Sequence, residues 1–428
     1  MRLRPYFLLL RRNRAFTRLY VAQLISFGGD WFATVALLGL ALELTGSAAF
    51  ASLVLVLQSA PFFFASPIAG VLADRLDRRR LMVAADLLRA GAALAFLLVR
   101  DPSMLWIALL ATAAISALSA FFEPTSSAAL PNLVDEDDLP VANVLLGSAW
   151  GTMLATGAAL GGLVAVAFGR DAAFLLDALS FALSAALIVG IRRSFGGASA
   201  RPPDTTRAGS SAGAPTDTPQ LGVMAAMREA LELARHSRSV AAFLLAKTTF
   251  GVGTGVILLL AVFGASVYQA GDVGIGVLFA ARGLGALLGP FVARAAFGFD
   301  EHGLLVGIGV AFFLFLGGYV LLPLAPGLAV AAGLVFVAHI GGGAQWTLST
   351  TGLQRATPDA VRGRIFSVDY GLVTFVAAVS TVVAGTITTA FGPAAAIYAL
   401  AIPAAVASTA WVVWTRPLRR RNGATLPE

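Results

Sequence analysis

Ionisable side chains are scarce in the long apolar runs of this chain, and those that occur there could do chemistry: Asp30, Asp86, Arg89, Asp177, Lys247, Arg282, His339 and Asp369. A charge at the centre of a bilayer-spanning helix costs at least ~2.5 kcal/mol, so each is a functional candidate by default. The chemistry open to them is proton exchange and ion pairing. Burial and a nearby cation move a carboxyl group's proton affinity in opposite directions, so an acid that faces a cation in only one geometry can bind and release a proton. Asp30, midway along the first apolar run, leads this set, with Arg282 or Lys247 as its facing cation. Gln23, Gln58 and Gln345 could add neutral hydrogen bonds. Asp86 and Arg89, three residues apart on one helix face, neutralise each other. Asp177 and Asp369 read either as functional acids or as groups near water or capping a neighbouring helix. Lys247 lies close enough to the end of its run to snorkel. His339 could carry protons or simply satisfy a hydrogen bond.

Other chemistry is poorly supplied. Cysteine is absent, which removes disulfides, thiolate metal sites and cysteine nucleophiles, and three histidines leave too few ligands for a metal centre. No HExxH or Walker loop occurs, so an enzyme is not expected and uphill transport would draw on an ion gradient rather than on ATP. The glycines of GLGALLGP, Gly283 to Pro290, lie inside an apolar run and read as close helix packing in lipid.

The elements that carry these residues are the apolar runs themselves. The chain has 428 residues, 58% hydrophobic and 12% charged, whereas soluble domains are about 25% charged. About 20 mostly apolar residues cross a bilayer. Runs bounded by Gly, Pro or charge predict spans near 15–43, 49–72, 81–99, 103–123, 141–168, 172–191, 240–265, 272–293, 304–322, 327–349, 364–390 and 393–414. With the amino terminus in the cytoplasm, arginine gathers on that side: in the leader, as Arg75, Arg78, Arg79 and Arg80 after the second span, in the connection after the sixth, and in the tail. Only Arg100 and Arg170 fall on the other side, and Arg89, Lys247 and Arg282 lie within spans. The positive-inside rule then puts both termini in the cytoplasm. A missed or invented central span would switch every later connection, so the bias supports an even count. Arginines scattered among short connections do not form a nucleic-acid groove. The first run is too long for a signal-peptide core and reads as a retained span.

Residues 196–219 are Gly, Ala, Ser, Pro and Thr with almost no large apolar side chain, a disordered linker. After it Met224, Met227, Leu231 and Ala234 recur at helical spacing, either as a helix on the membrane surface or as a soluble connector. The organisation expected is a six-helix bundle over 1–191, a cytoplasmic linker over 192–239, a second bundle over 240–415 and a tail over 416–428.

GVLADRLDRRR, Gly70 to Arg80, resembles the loop signature of the major facilitator superfamily, G-x-L-a-D-r-x-G-r-k. Gly70, Leu72, Asp74, Arg75, Arg78 and Arg79 match, and Asp77 replaces the second Gly. The resemblance implies that Asp74 sits against the start of the eleventh span, near Gly363, and that Arg78 pairs with an acid at the cytoplasmic end of the fourth, where Glu123 is available. Exposed N–H groups at a helix start favour such a carboxylate. A basic loop that only sets topology is the other reading. RNRAFTRLYVAQLISFGGDWF, FFEPTSSAALPNLV, the GAALGG of Gly157 to Gly162 and LQRATPDAVRGRIFS resemble, in order, the efflux branch of enterobactin-exporter-like and macrolide-efflux-like carriers. In that fold the first, fourth, seventh and tenth spans line a central cavity, which favours Asp30, Lys247 and His339.

The departures are specific. The antiporter signature of the fifth span keeps Gly157, Gly161 and Gly162, but Met153 replaces its first Gly and Ala158 its Pro. The fourth span carries no Arg, which many proton-coupled exporters of the superfamily have. The second copy of the loop signature is reduced to Gly289 and Arg294, with Ala293 where an Asp would fall. The expectation is an all-α membrane protein of twelve spans in two bundles, a monomer in the inner membrane. It would export an amphipathic or lipophilic small molecule by alternating access, in exchange for protons or another coupling ion. Its partners are that solute, the ion and membrane lipid, with no cofactor, metal or nucleic acid. A lipid or lysolipid flippase, an uptake carrier, or a non-transporting scaffold or sensor on the same fold are the alternatives.

Overall fold

The computed structural model describes residues 4–193, 195, 228, 232, 235–298 and 300–421. Among them, twelve helices are long and apolar enough to cross a membrane. The first six are α1 (Arg14–Thr45), α2 (Ala48–Arg75), α3 (Arg78–Leu94), α4 (Leu105–Leu133), α5 (Leu139–Phe168) and α6 (Arg170–Val189). The second six are α7 (Arg238–Val267), α8 (Gly271–Phe297), α9 (Glu301–Leu321), α10 (Leu328–Ala356), α11 (Asp359–Phe391) and α12 (Pro393–Trp414). A short helix, Arg4–Arg12, precedes α1. The expected linker at 196–219 and the amphipathic stretch carrying Met224, Met227, Leu231 and Ala234 lie outside the described residues.

Polar side chains set where several helices begin. Asn13 accepts from Phe16 N at 3.0 Å and starts α1, and Ser47 accepts from Phe50 N at 3.3 Å and starts α2. Asp77, the departure from the loop signature, accepts from Arg80 N at 2.9 Å and caps α3. Helix ends differ from the sequence expectation where proline misleads. The fourth span was expected to stop at 123, yet α4 runs through Pro124 and Pro131 to Leu133. In hydrocarbon a broken helix leaves backbone groups with no water to bond, so continuing costs less than stopping. Beyond the expected bounds too, α10 runs on to Ala356 and α11 begins at Asp359.

Packing repeats with an offset of six helices. In the first half α1 packs on α5 and α6, α4 on α2 and α3, and α3 on α6; in the second half α7 packs on α11 and α12, α10 on α8 and α9, and α9 on α12. The halves meet through α5 against α8 and α2 against α11, again related by six. The helix contacts of the two six-helix bundles thus repeat in parallel order, as in parallel repeats of transporters.

Small residues allow these contacts. A Cβ on Gly162 would lie 3.2 Å from Val273 Cα, one on Gly276 would lie 2.6 Å from Ala158 O, and one on Gly283 would lie 2.5 Å from Ala155 N. Gly157 and Gly161 press on α1 instead, 3.5 Å from Gly28 Cα and 2.8 Å from Phe32 Cα. Without apolar driving force between helices in lipid, this close backbone approach supplies the packing.

Both halves also carry a serine hydroxyl inserted into a neighbouring helix. Ser116 Oγ donates to Gln58 O at 2.9 Å and accepts from Phe62 N at 3.2 Å, flanking Pro61 in α2. Ser380 Oγ donates to Val252 O at 2.7 Å and accepts from Gly255 N at 3.0 Å. There α7 tightens into a 3-10 turn over Thr254–Ile257, and it loosens into a π turn over Phe263–Val267. Such inserted groups are an identifiable cause of bending.

Candidate functional site

A cavity of about 170 Å³ lies within the first bundle. Its polar lining is Asp30 and Thr34 of α1, Gln58 of α2, Thr112, Ser116, Ser119 and Glu123 of α4 and Asp177 of α6; Phe27, Trp31, Phe62, Phe96 and Trp150 supply aromatic walls. Thr34 donates to its own helix at Asp30 O, 2.7 Å, and accepts from Gln58 Nε2 at 2.7 Å, which fixes the neutral side of the chamber. Gly29 lets α6 approach: a Cβ there would lie 2.8 Å from Asp177 Oδ1. Asp30 and Asp177 therefore both line the chamber where α1 packs on α6.

Glu123 joins them. The sequence placed it at the cytoplasmic end of the fourth span as partner of Arg78, but the longer α4 puts it inside the helix and on the cavity. Arg78 donates instead to Ala128 O at 2.9 Å and to Phe195 O at 3.4 Å. A carboxyl group in the apolar run FFEPT was the available signal, and reading Pro124 as a helix stop concealed it.

The cation nearest the acids also differs from expectation. Arg89, paired with Asp86 as the spacing predicted, is sandwiched between Phe122 and Phe181 at 4.8 and 4.6 Å. It reaches Ser26 and Ser119 at 3.5 and 3.4 Å, and Ser184 donates to Asp86 at 2.6 Å. Ser119 also lines the chamber, so Arg89 borders it with its charge committed to Asp86. Lys247 is not available to Asp30: it pairs with Asp369 at 2.5 Å, with Trp346 and Phe366 around the ammonium group. Snorkelling is thereby overturned as well, since Lys247 is buried.

Arg282 of α8 lies on the second bundle's side of the aromatic wall. Its guanidinium carbon is 6.0 Å from the ring centre of Trp31, 5.9 Å from Trp150 and 5.6 Å from Phe279, within cation–π range. His339 shares a hydrogen bond of 2.9 Å with Tyr319 Oη and packs edge-on to Phe315. Gln23 and Gln345 are buried; Gln23 Oε1 and both amide atoms of Gln345 have no hydrogen-bond partner. The predicted site residues thus separate into an acid chamber (Asp30, Asp177), a wall cation with a Tyr–His neighbour (Arg282, His339) and a closed ion pair (Lys247, Asp369).

At the helix ends opposite the arginine-rich face, Arg170 joins three helices. It donates to Asp272 Oδ2 at 2.8 Å and Oδ1 at 3.2 Å across the bundle interface, and to Glu43 Oε2 at 2.6 Å. On the arginine-rich face Arg79 donates to Arg193 O at 2.7 Å. The expected contact between Asp74 and the start of α11 near Gly363, with the side chains of Gly70 and Arg75, lies outside the described side chains.

Comparison with known proteins supplies the family. A family model described as Major Facilitator Superfamily matches residues 19–368. BacE of Bacillus subtilis (strain 168), named as a candidate bacilysin exporter, is 26% identical over 82% of this chain and 82% of its own length. The MFS-type transporter YfiS of the same organism is 29% identical over 43% of this chain, a match spanning 44% of YfiS. The multidrug efflux pump Tap of Mycobacterium tuberculosis (strain ATCC 25618 / H37Rv) is 30% identical over 42% of this chain and 45% of Tap. Among solved structures, a bacterial homologue of the human lysosomal transporter Spinster, inward-facing and unoccupied, aligns with a TM-score of 0.72 at 15% identity, covering 94% of this chain and 96% of that one. At that identity the likeness concerns the fold.

Proposed function

Since the chain belongs to the major facilitator superfamily and is a multi-pass membrane transporter, we propose that it exports an amphipathic, lipophilic small molecule from the cytoplasm by alternating access, in exchange for protons. The observation that carries this reading is the chamber itself, where three carboxyl groups share one aromatic-walled cavity, while the guanidinium that borders it through Ser119, Arg89, is already paired to Asp86. Three acids around one committed cation cannot all stay ionised at low cost, so protons or a cationic group must supply the missing charge. That is the competition an antiporter needs, because solute and proton then exclude one another from the same carboxylates.

Export rather than uptake is supported by the efflux names of the relatives at low identity. The membrane is proposed to be the inner membrane with both termini cytoplasmic, from the side on which arginine accumulates. The two bundles are taken as the rocking units, joined by the cytoplasmic linker. The experiment is dye flux in proteoliposomes with an imposed pH gradient. Gradient-driven movement of a cationic dye such as rhodamine 6G, lost in Asp30→Asn with the protein still folded, is the expected result. Flux indifferent to both the gradient and Asp30→Asn would sink the antiport reading.

A further inference from the structure

Resting on that export reading and deepening it, we propose that the transported solute is a zwitterion: its cationic group sits among Asp30, Glu123 and Asp177, its anionic group on Arg282, and its apolar body against Trp31 and Trp150.

The cation pole rests on an unsatisfied group. Asp177 is 1% exposed, lines the chamber, and neither of its carboxyl oxygens has a hydrogen-bond partner. Buried polar atoms are almost always paired, so an acid left open toward a cavity calls for a donor from outside the protein. The anion pole rests on a contrast between the cations of the spanning helices. Arg89 is matched by Asp86 and Lys247 by Asp369, but Arg282 has no carboxylate within ion-pair distance among the described residues. The groups facing it are aromatic or neutral: Trp31 of α1, Trp150 of α5, Phe279 of its own helix, and Tyr319, whose hydroxyl is engaged with His339. A guanidinium keeps its fork of donors for a planar carboxylate or a phosphate.

The two poles belong to different bundles. The acids stand on α1, α4 and α6, and Arg282 stands on α8. Trp31 and Trp150 line the chamber and also flank the guanidinium, so they form the partition between the poles. A solute carrying both charges bridges the bundles when the partition parts, whereas a purely cationic solute engages only the first bundle.

The test uses two dyes that differ at one carboxyl group: rhodamine B, a zwitterion, and rhodamine B ethyl ester, a cation with the same ring system. Binding to the purified full-length protein is read by fluorescence anisotropy. The expected result is at least tenfold tighter binding of rhodamine B, although the ester is the more lipophilic. In Arg282→Gln the preference disappears through loss of rhodamine B affinity, in Arg282→Lys part of it returns, and in Asp30→Asn both dyes weaken. Thermal unfolding of each variant reports folding independently. Equal binding of the two dyes, or equal weakening of both in Arg282→Gln, overturns the zwitterion and leaves cation export standing. If neither dye binds and no dye moves in vesicles, both readings fail together.

Discussion

Replacing Asp272 by Asn tests whether the contact at the end opposite the arginine-rich face holds the bundles together. Arg170 makes two charge-assisted hydrogen bonds to Asp272 across the interface, and the aspartate is 6% exposed while the arginine is 22% exposed. Glu43, 67% exposed, belongs to the same bundle as Arg170 and is solvated, so it does not replace the lost charge across the interface. The clamp is backed by small residues: a Cβ on Gly39 would lie 3.1 Å from Arg170 Nη2, and one on Gly162 would strike the Asp272 backbone. Truncating one partner of a buried, hydrogen-bonded charge pair costs about 2–5 kcal/mol. Because Arg170 keeps some solvent and Asn keeps one hydrogen bond, about 2–3 kcal/mol is the appropriate share, equivalent to roughly a 30- to 150-fold shift in the ratio of closed to open forms at that end. The chain has no cysteine, so spin labels can be placed without altering a background. Ser103 and Pro326, both exposed, lie in the connections after α3 and after α9, one in each bundle on this face. Electron–electron distance measurements between Ser103→Cys and Pro326→Cys should gain a longer component in Asp272→Asn and only a slight one in Glu43→Gln. An unchanged distribution in Asp272→Asn would refute the clamp.

Three further outcomes follow from the packing. Lys247→Met alone should destabilise by about 3–5 kcal/mol, because Asp369 is left charged and buried, whereas Lys247→Met with Asp369→Leu should recover most of the loss; detergent thermal unfolding of the single and double variants decides this. Gly276→Leu, which drives a side chain into Ala158 O and the Gly162 backbone, should abolish transport while the protein still inserts, and normal flux in vesicles would refute the close α5–α8 contact. Ser380→Ala frees the Gly255 N–H and the Val252 carbonyl, a cost of about 1–3 kcal/mol for a buried unpaired group; hydrogen exchange should speed up locally around Gly255, and unchanged protection there would refute the wedge.

How much of this was legible in the sequence divides along the range of the interactions. Twelve spans were legible because apolar length is a local property, and the pairing of Asp86 with Arg89 was legible because both lie on one helix three residues apart. The extension of α4 through Pro124 and Pro131 was not, since proline stops helices in water but not where the alternative is an unbonded backbone. That single boundary moved Glu123 from a helix end into the chamber. The surroundings of Asp30 were not legible because spacing along a chain says which residues share a face, not which helices cross. Lys247 looked free until α11 brought Asp369 to it, and Arg89 looked spent on Asp86 until α4 and α6 enclosed it beside Asp30. The 3-10 turn of α7 coincides with a contact that spacing along the chain does not show, a serine 125 residues away that bonds Gly255.

The symmetry of the packing makes the asymmetry of the charges informative. Helix contacts repeat with a period of six, α1 on α5 and α6 matching α7 on α11 and α12. If the ionisable groups existed to hold helices together, they would be expected to recur as well. Only a closed buried pair has a counterpart, Asp86 with Arg89 in the first bundle and Lys247 with Asp369 in the second; the first bundle adds Asp30, Glu123 and Asp177 around an open cavity, and the second adds Arg282 with no carboxylate partner among the described residues. Packing needs are met alike in both halves by glycine and apolar surface, so the unequal charges answer to something that is not packing. Removing the closed pair as a unit should therefore leave transport intact, whereas neutralising any one chamber acid should alter its pH dependence. If instead Lys247→Met with Asp369→Leu abolished flux in a stably folded protein, the division between structural and functional charges drawn from this asymmetry would be wrong.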